Sequence, residues 1–294
     1  MPFMPDQATT LRELMQREAA TIRQPASRSS SAPRVLAIAS GKGGVGKSHI
    51  ALNLSLALSE QGHSVCLLDA GESSGPLQVL CGSAGYWNLS HVAAGARSVR
   101  EVAMQGPGGI RVLSAAGVLL CSDPYPIPVN TNACRQLAEF LEQFDHVVID
   151  IPTGKQSVIQ RILQAVDALW LITVPELTSV AETYSLLKDC VPFGPRQDWE
   201  ILVNQAESGL QAREIVNRIR TTVQSFLNCD VFSAGHIPFD RAVSTAVMQR
   251  QPFYRTAPNS AVSQAVKQLA GSWSARSRKG RGKFLEHLAA LHIC

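Results

Sequence analysis

Apolar positions recur along this chain with two different periods. Short apolar runs at Val35–Ala39, Ser64–Asp69, Arg111–Ala115, Val147–Asp150, Ala168–Val174, Ile201–Asn204 and Val231–Ile237 have the length and composition of strands. Between them, near 47–61, 131–143, 156–166, 178–189, 210–226, 241–250 and 259–272, apolar residues fall three and four apart, which predicts amphipathic helices. Strands alternating with helices predict an α/β fold: a mainly parallel, doubly wound sheet covered by helices on both faces. Ligands in such sheets bind beyond the carboxyl ends of the strands, and the polar signals of this chain cluster there.

Both ends of the chain follow other patterns. Residues 1–23 place Ala8, Leu11, Leu14, Met15, Ala19 and Ile22 at helical spacing behind Asp6, a residue suited to capping. Residues 24–33 are a Ser/Pro-rich linker. The predicted body spans 34–274, and a tail spans 275–294. Residues 276–283 carry five basic side chains and no acid, and an apolar-rich segment follows. On a helix, Phe284, Leu285, Leu288 and Leu291 share one face.

Composition narrows the classes. With 45% apolar and 17% charged residues the chain can bury a sizeable core and is not disordered. A net charge of +4 is too small to argue for a nucleic-acid partner. The first twenty residues hold Asp6, Arg12, Glu13, Arg17 and Glu18, unlike a signal peptide. No apolar run reaches the roughly 18 residues needed to span a bilayer, so membrane contact is expected to be peripheral. The seven cysteines lack C-x-x-C spacing, which points to reduced thiols in a cytoplasmic protein.

The chemistry begins where Val35–Ala39 ends. Gly41-Lys42-Gly43-Gly44-Val45-Gly46-Lys47-Ser48 is G-x-x-x-x-G-K-[ST] in the strand–loop–helix setting that the phosphate-binding loop requires. The glycines let the backbone curl and aim its N–H groups at phosphate oxygens, and the helix adds the positive end of its dipole. Lys47 is assigned to the β- and γ-phosphates and Ser48 to Mg²⁺. His49 follows at the edge of this nucleotide-binding run, with no chemistry assigned to its ring. Asp150 ends an apolar strand, as a metal-site carboxylate does; the alternative is a turn or helix-capping aspartate. Asp69 ends the next strand and allows the same two readings.

Lys42, directly after the first glycine, resembles the signature lysine of deviant Walker A proteins, and Gly41–Ser48 resembles the MinD/ParA family. Further segments carry the resemblance along the chain: Val174-Pro175-Glu176-Leu177-Thr178-Ser179-Val180, Leu202-Val203-Asn204, and Gly235-His236-Ile237-Pro238-Phe239-Asp240. The resemblance implies a SIMIBI-type P-loop NTPase that binds ATP and Mg²⁺ and forms an ATP-dependent homodimer. In that family the signature lysine reaches the partner's nucleotide, so Lys42 joins Lys47 as a catalytic cation. It also implies that Asn204 and Pro238 lie at the adenine. Asp6-Gln7-Ala8-Thr9-Thr10-Leu11-Arg12 resembles the D-Q-A-x-x-L-R motif of the flagellar-number regulators within the family, the FlhG group. There the N-terminal helix docks on a signal-recognition-type GTPase, FlhF, which makes Asp6, Gln7, Leu11 and Arg12 partner-binding candidates. The tail resembles the group's membrane-targeting helix. Its basic run suits anionic headgroups at about 1 kcal/mol per Lys or Arg. The alternatives are a disordered basic tail and a helix packed on the domain.

Three departures matter. The family continues its second strand as D-x-D, but this chain reads Asp69-Ala70-Gly71-Glu72, and glycine cannot polarise an attacking water. Ser73-Ser74-Gly75-Pro76-Leu77 replaces L-G-L-x-N, and Asp150-Ile151-Pro152-Thr153-Gly154 replaces D-T-x-A-G. ATP binding with weak hydrolysis is therefore expected. The leading reading is an ATP-dependent regulator of flagellar placement or number, peripheral at the inner face of the cell membrane. The alternatives are a nucleotide-locked scaffold and a ParA-like DNA-partitioning ATPase; nucleic acid is disfavoured, because the basic cluster lies beside an apolar helix.

Overall fold

The computed structural model describes residues 32–71, 76–81, 87–115, 131–163, 165–193, 199–276 and 283–290. Eight strands lie in these residues: β1 Arg34–Ala39, β2 Val65–Asp69, β3 Met104–Gln105, β4 Arg111–Ser114, β5 His146–Asp150, β6 Ala168–Thr173, β7 Trp199–Ala206 and β8 Phe232–Pro238. They form one sheet in the order β3-β4-β2-β5-β1-β6-β7-β8, parallel throughout except for β3 against β4. The doubly wound α/β sheet predicted from the hydrophobic pattern is the observed fold. All seven expected strands are present, with ends displaced by a residue or two. The pattern missed β3 and the short helices Pro76–Leu80, Leu89–Ala93, Val99–Val102 and Phe253–Thr256, which are too brief to show a period.

Alternation along β1 shows how the sheet is sealed on both faces. Val35, Ala37 and Ala39 belong to one apolar cluster, and Leu36 and Ile38 to the other. The helix Lys47–Glu60 lies on the second face, where every residue from Ile50 to Leu58 is buried. A helix apolar all round must be covered on several sides. Here the helix Ala261–Ala275 and the turn Phe253–Thr256 pack on it beside the sheet. Its buried polar groups are satisfied. Ser55 Oγ donates to Ala51 O at 2.7 Å, and Asn53 Nδ2 donates to His49 O at 2.7 Å. Asn53 Oδ1 accepts the Tyr254 N–H at 2.8 Å, tying the start of this helix to the Phe253–Thr256 turn.

At the amino ends of the strands, Arg34 closes the fold. Its guanidinium donates to the carbonyls of Trp273, Ser274 and Arg276 and lies 4.8 Å from the centre of the Trp273 ring. A cation there stabilises the carbonyl end of the Ala261–Ala275 helix. Arg276 pairs with Glu200, which also accepts Trp170 Nε1 at 3.1 Å. The Asp145 carboxylate, on the same side, accepts from Ser64 N at 2.9 Å and Ser64 Oγ at 2.8 Å.

In this single chain the tail takes the last of its three expected forms, a helix packed on the domain. Lys283–Ala290 is helical, but Phe284 and Leu285, expected to face lipid, are buried at 2% and 8% exposure. They join the core cluster that contains Ala133, Leu137 and Phe140, and their helix packs on Thr131–Leu141. The cause is the apolar stripe of Thr131–Leu141, which offers these side chains a protein surface in place of a bilayer. The side chain of Leu288 and all of Leu291 lie outside the described residues, as do Asp6, Gln7, Leu11, Arg12 and the linker. No helix among the described residues is long and apolar enough to cross a membrane.

Phe284→Ala is expected to lower stability by about 3 kcal/mol in lipid-free urea titrations. A side chain facing solvent would shift it by no more than about 0.5 kcal/mol.

Candidate functional site

Sheet order concentrates polar groups at one point. β1 is flanked by β5 and β6, and the chain winds away from it in both directions, so a crevice opens at its carboxyl end. Register places Asp69 of β2 beside Asp150 of β5, and Ile38 of β1 on the other side of Asp150. The loop 40–46 leaves β1 directly above them.

Left-handed turns shape the loop. Gly44 and Gly46 have φ of 78° and 89°, and Gly46 starts the helix Lys47–Glu60 with no side-chain cap. The helix's first N–H groups are thereby left for an anion. Gly41 is fixed by a different constraint: a Cβ there would lie 2.2 Å from the carbonyl oxygen of Glu182. The loop therefore rests directly on the backbone of the helix Leu177–Cys190.

Below the loop, Lys47 Nζ lies 3.6 Å from Asp150 Oδ1, with both side chains largely buried. Ser48 acts on the Asp150 carboxyl in favour of its ionised form. Burial pushes the Asp150 carboxyl above the usual carboxylate range, and Lys47 opposes that shift. Burial also pushes Asp69 up to about 6; the Gly71 N–H, donating to Asp69 Oδ1 at 2.9 Å, opposes it and Asp150 adds to it. Asp69 Oδ2 and Asp150 Oδ1 are buried without a hydrogen-bond donor. Two paired carboxylates with orphaned oxygens, beside a serine hydroxyl, fit a hard divalent cation. No group of three or more His, Cys, Asp or Glu with metal-binding geometry exists among the described residues. Such a site suits Mg²⁺, which takes few protein ligands and keeps water and phosphate oxygens. When bound, Mg²⁺ would neutralise phosphate charge; Ser48, Asp69 and Asp150 are the residues placed to hold it or its waters.

Lys42 points to the start of the helix on which the loop rests. In this single chain it pairs with Glu176, and its Nζ donates to Thr178 Oγ1 at 3.1 Å. These partners stand at the start of the Leu177–Cys190 helix and remain open to solvent. The sequence alone assigns Glu176 and Thr178 no role, because their contact with Lys42 joins positions 134 and 136 residues apart.

Asn204 Nδ2 donates to Val45 O at 2.8 Å, so one side of its amide grips the loop. Beside it the β7–β8 register shifts between Val203 and Ala206, and Gln205 adopts φ 58°. Pro238, opposite Ala206, ends β8 at the same edge. Asp240 caps the next helix through Ala242 N at 2.9 Å. His49 lies in the helix's first turn, and burial lowers its pKa. Thr153 Oγ1 lies 3.4 Å from Ser40 Oγ at the loop's start.

Comparison with known proteins agrees with this geometry. Residues 31–188, just over half of the chain, match the family described as ParA, NUBPL iron-transfer P-loop NTPase. Residues 123–274 also match the cellulose biosynthesis protein BcsQ family. The antiactivator FleN of Pseudomonas aeruginosa is 29% identical over 243 residues, covering 82% of this chain and 87% of that protein. The flagellum site-determining protein YlxH of Helicobacter pylori is 25% identical, covering 81% of each chain. Among solved structures, the septum site-determining protein MinD of Pyrococcus horikoshii, complexed with Mg-ADP, superposes with a TM-score of 0.62 at 21% identity. That match covers 83% of this chain and 96% of the other.

Gly41→Ala is expected to displace the loop and weaken nucleotide binding about 100-fold by calorimetry, the scale of an ångström-sized misplacement. A pH dependence follows from Asp69 in chelator-treated protein. Its raised pKa favours the neutral form in the folded state. The contribution of Asp69 to stability is then greatest below about pH 4, is lost as pH rises through about 6, and levels off, a loss on the order of 3 kcal/mol. Asp69→Asn should flatten that fall in denaturation curves.

Proposed function

Because the chain belongs to the ParA family of P-loop NTPases, we propose that it is an FlhG-like, ATP-binding regulator of flagellar number or placement that dimerises around Mg-ATP. The buried Lys47–Asp150–Asp69 group under the glycine loop carries the nucleotide part of this reading. The similarity to FleN and YlxH over most of the chain supports the flagellar part. Lys42 supports dimerisation: a solvent-facing ammonium, held by an exposed carboxylate, can exchange that partner for a phosphate of a second protomer's nucleotide at small cost. In this reading residues 1–23 bind an FlhF-type GTPase through Asp6, Gln7, Leu11 and Arg12. Residues 34–274 form the ATPase body, and 275–294 make peripheral contact with an anionic membrane. Lipid contact through Phe284 and Leu285 then requires the terminal helix to leave Thr131–Leu141.

Gly71 favours slow hydrolysis. Its N–H anchors Asp69, but it has no side chain to orient a water. Size-exclusion chromatography with ADP and then ATP, with phosphate release measured on the same samples, tests both parts. ATP should produce a dimer and little phosphate. Gly71→Asp should raise turnover about 100-fold, the lower range of general-base assistance. Failure to take up adenine nucleotide would remove the reading; unchanged turnover in Gly71→Asp would remove only the role given to Gly71.

A further inference from the structure

The region after β8 carries one sign of charge. Residues 241–285 contain nine Lys and Arg side chains and no Asp or Glu, while the rest of the chain has 18 basic and 23 acidic side chains. Lys267 pairs with Glu60 and Arg276 with Glu200. Arg241, Arg250 and Arg255 are exposed, and no carboxylate among the described residues pairs with them.

The segment that carries these three arginines also carries exposed apolar side chains. In the helix Arg241–Met248 only Ala246 is buried; Met248 is 81% exposed and Val247 43%. Arg241 and Met248 are two turns apart and share a face. The helix packs on Phe253–Thr256, which contributes Arg255.

Backbone geometry at Arg250 gives an independent observation. Its φ is 54°, its N–H bonds Val247 O at 3.0 Å, and the Gln251 N–H bonds Ala246 O at 3.0 Å. This is the left-handed stop of a helix, where glycine is the usual residue. An arginine held there against its backbone preference points to a task for its side chain.

We infer that the surface formed by Arg241, Val247, Met248, Arg250 and Arg255 binds an acidic, amphipathic helical segment of another protein. Guanidinium forks pair with carboxylates in a bidentate manner, and Met248 with Val247 supplies apolar anchors. Interfaces between proteins are enriched in Arg and Met and depleted in Lys, and none of the three free cations is lysine. A nucleic-acid backbone would leave Met248 and Val247 without a role. Two apolar side chains on an eight-residue helix are too few to hold a bilayer interface. The inference goes beyond the nucleotide reading and does not rest on it.

The test uses the full chain as bait for a phage library of random peptides of about 20 residues, long enough for several helical turns. Selected peptides are then titrated by fluorescence anisotropy. They should be acidic, with apolar residues at three- and four-residue spacing. Their affinity should fall about tenfold or more in Met248→Ser and in Arg250→Gly. Arg250→Gly relieves the backbone, so its Tm should be unchanged or higher while binding is lost, a combination that misfolding cannot produce. A short DNA duplex and phosphatidylglycerol vesicles should bind wild type and variants alike. Peptides without acidic excess, full affinity in Arg250→Gly, or Arg250-dependent binding of duplex or vesicles would overturn the inference.

Discussion

Burial of two carboxylates beside one ammonium is the constraint around which this pole of the molecule is built. Asp69 and Asp150 end adjacent parallel strands, so sheet register alone holds them side by side. Both are largely removed from water, and each retains an oxygen without a donor. Lys47 supplies one positive charge for two acids. Such a group is unfavourable as it stands, and a divalent cation relieves it. A triphosphate would in turn draw Lys47 upward, leaving the carboxylates to the metal. Local instability and the fit to a metal-bound nucleotide are thus two aspects of one arrangement.

The loop above this group is positioned by contacts that involve no phosphate. Gly41 rests against the backbone at Glu182, and Asn204 holds Val45 O. Asn53 ties the first turns of the Lys47–Glu60 helix to Tyr254. Three parts of the chain, from β7, the Leu177–Cys190 helix and the Phe253–Thr256 turn, therefore fix the cradle before a ligand arrives. Preorganisation of this kind reduces the ordering cost of binding.

Features governed by local periodicity were legible in the sequence. The glycine loop is a contiguous motif, and β1, β2 and β5 are apolar runs ending in recognisable residues, so the sheet and the Lys47, Ser48, Asp69, Asp150 group could be read directly. What the sequence concealed depends on distant partners. Nothing near residue 42 announces Glu176, and nothing near 204 announces the hydrogen bond from Asn204 to Val45 O. The tail shows the limit most clearly. Phe284 and Leu285 form an apolar stripe that fits lipid and protein equally well, and the stripe on Thr131–Leu141 that receives them lies about 150 residues away in sequence.

Gly71 bears on what kind of switch such a site can be. A ligand shifts a conformational equilibrium through its different affinity for the two states, and hydrolysis is not needed for the shift. Hydrolysis sets how the shift is reversed. Were hydrolysis slow, as proposed from Gly71, reversal would be left to nucleotide dissociation or to a partner that supplies the missing group, as an arginine given in trans does for other P-loop proteins. The exposed surface around the site and the open Lys42–Glu176 pair leave room for such a partner. The cradle would then act as the stable half of the device, with the timing set from outside the chain.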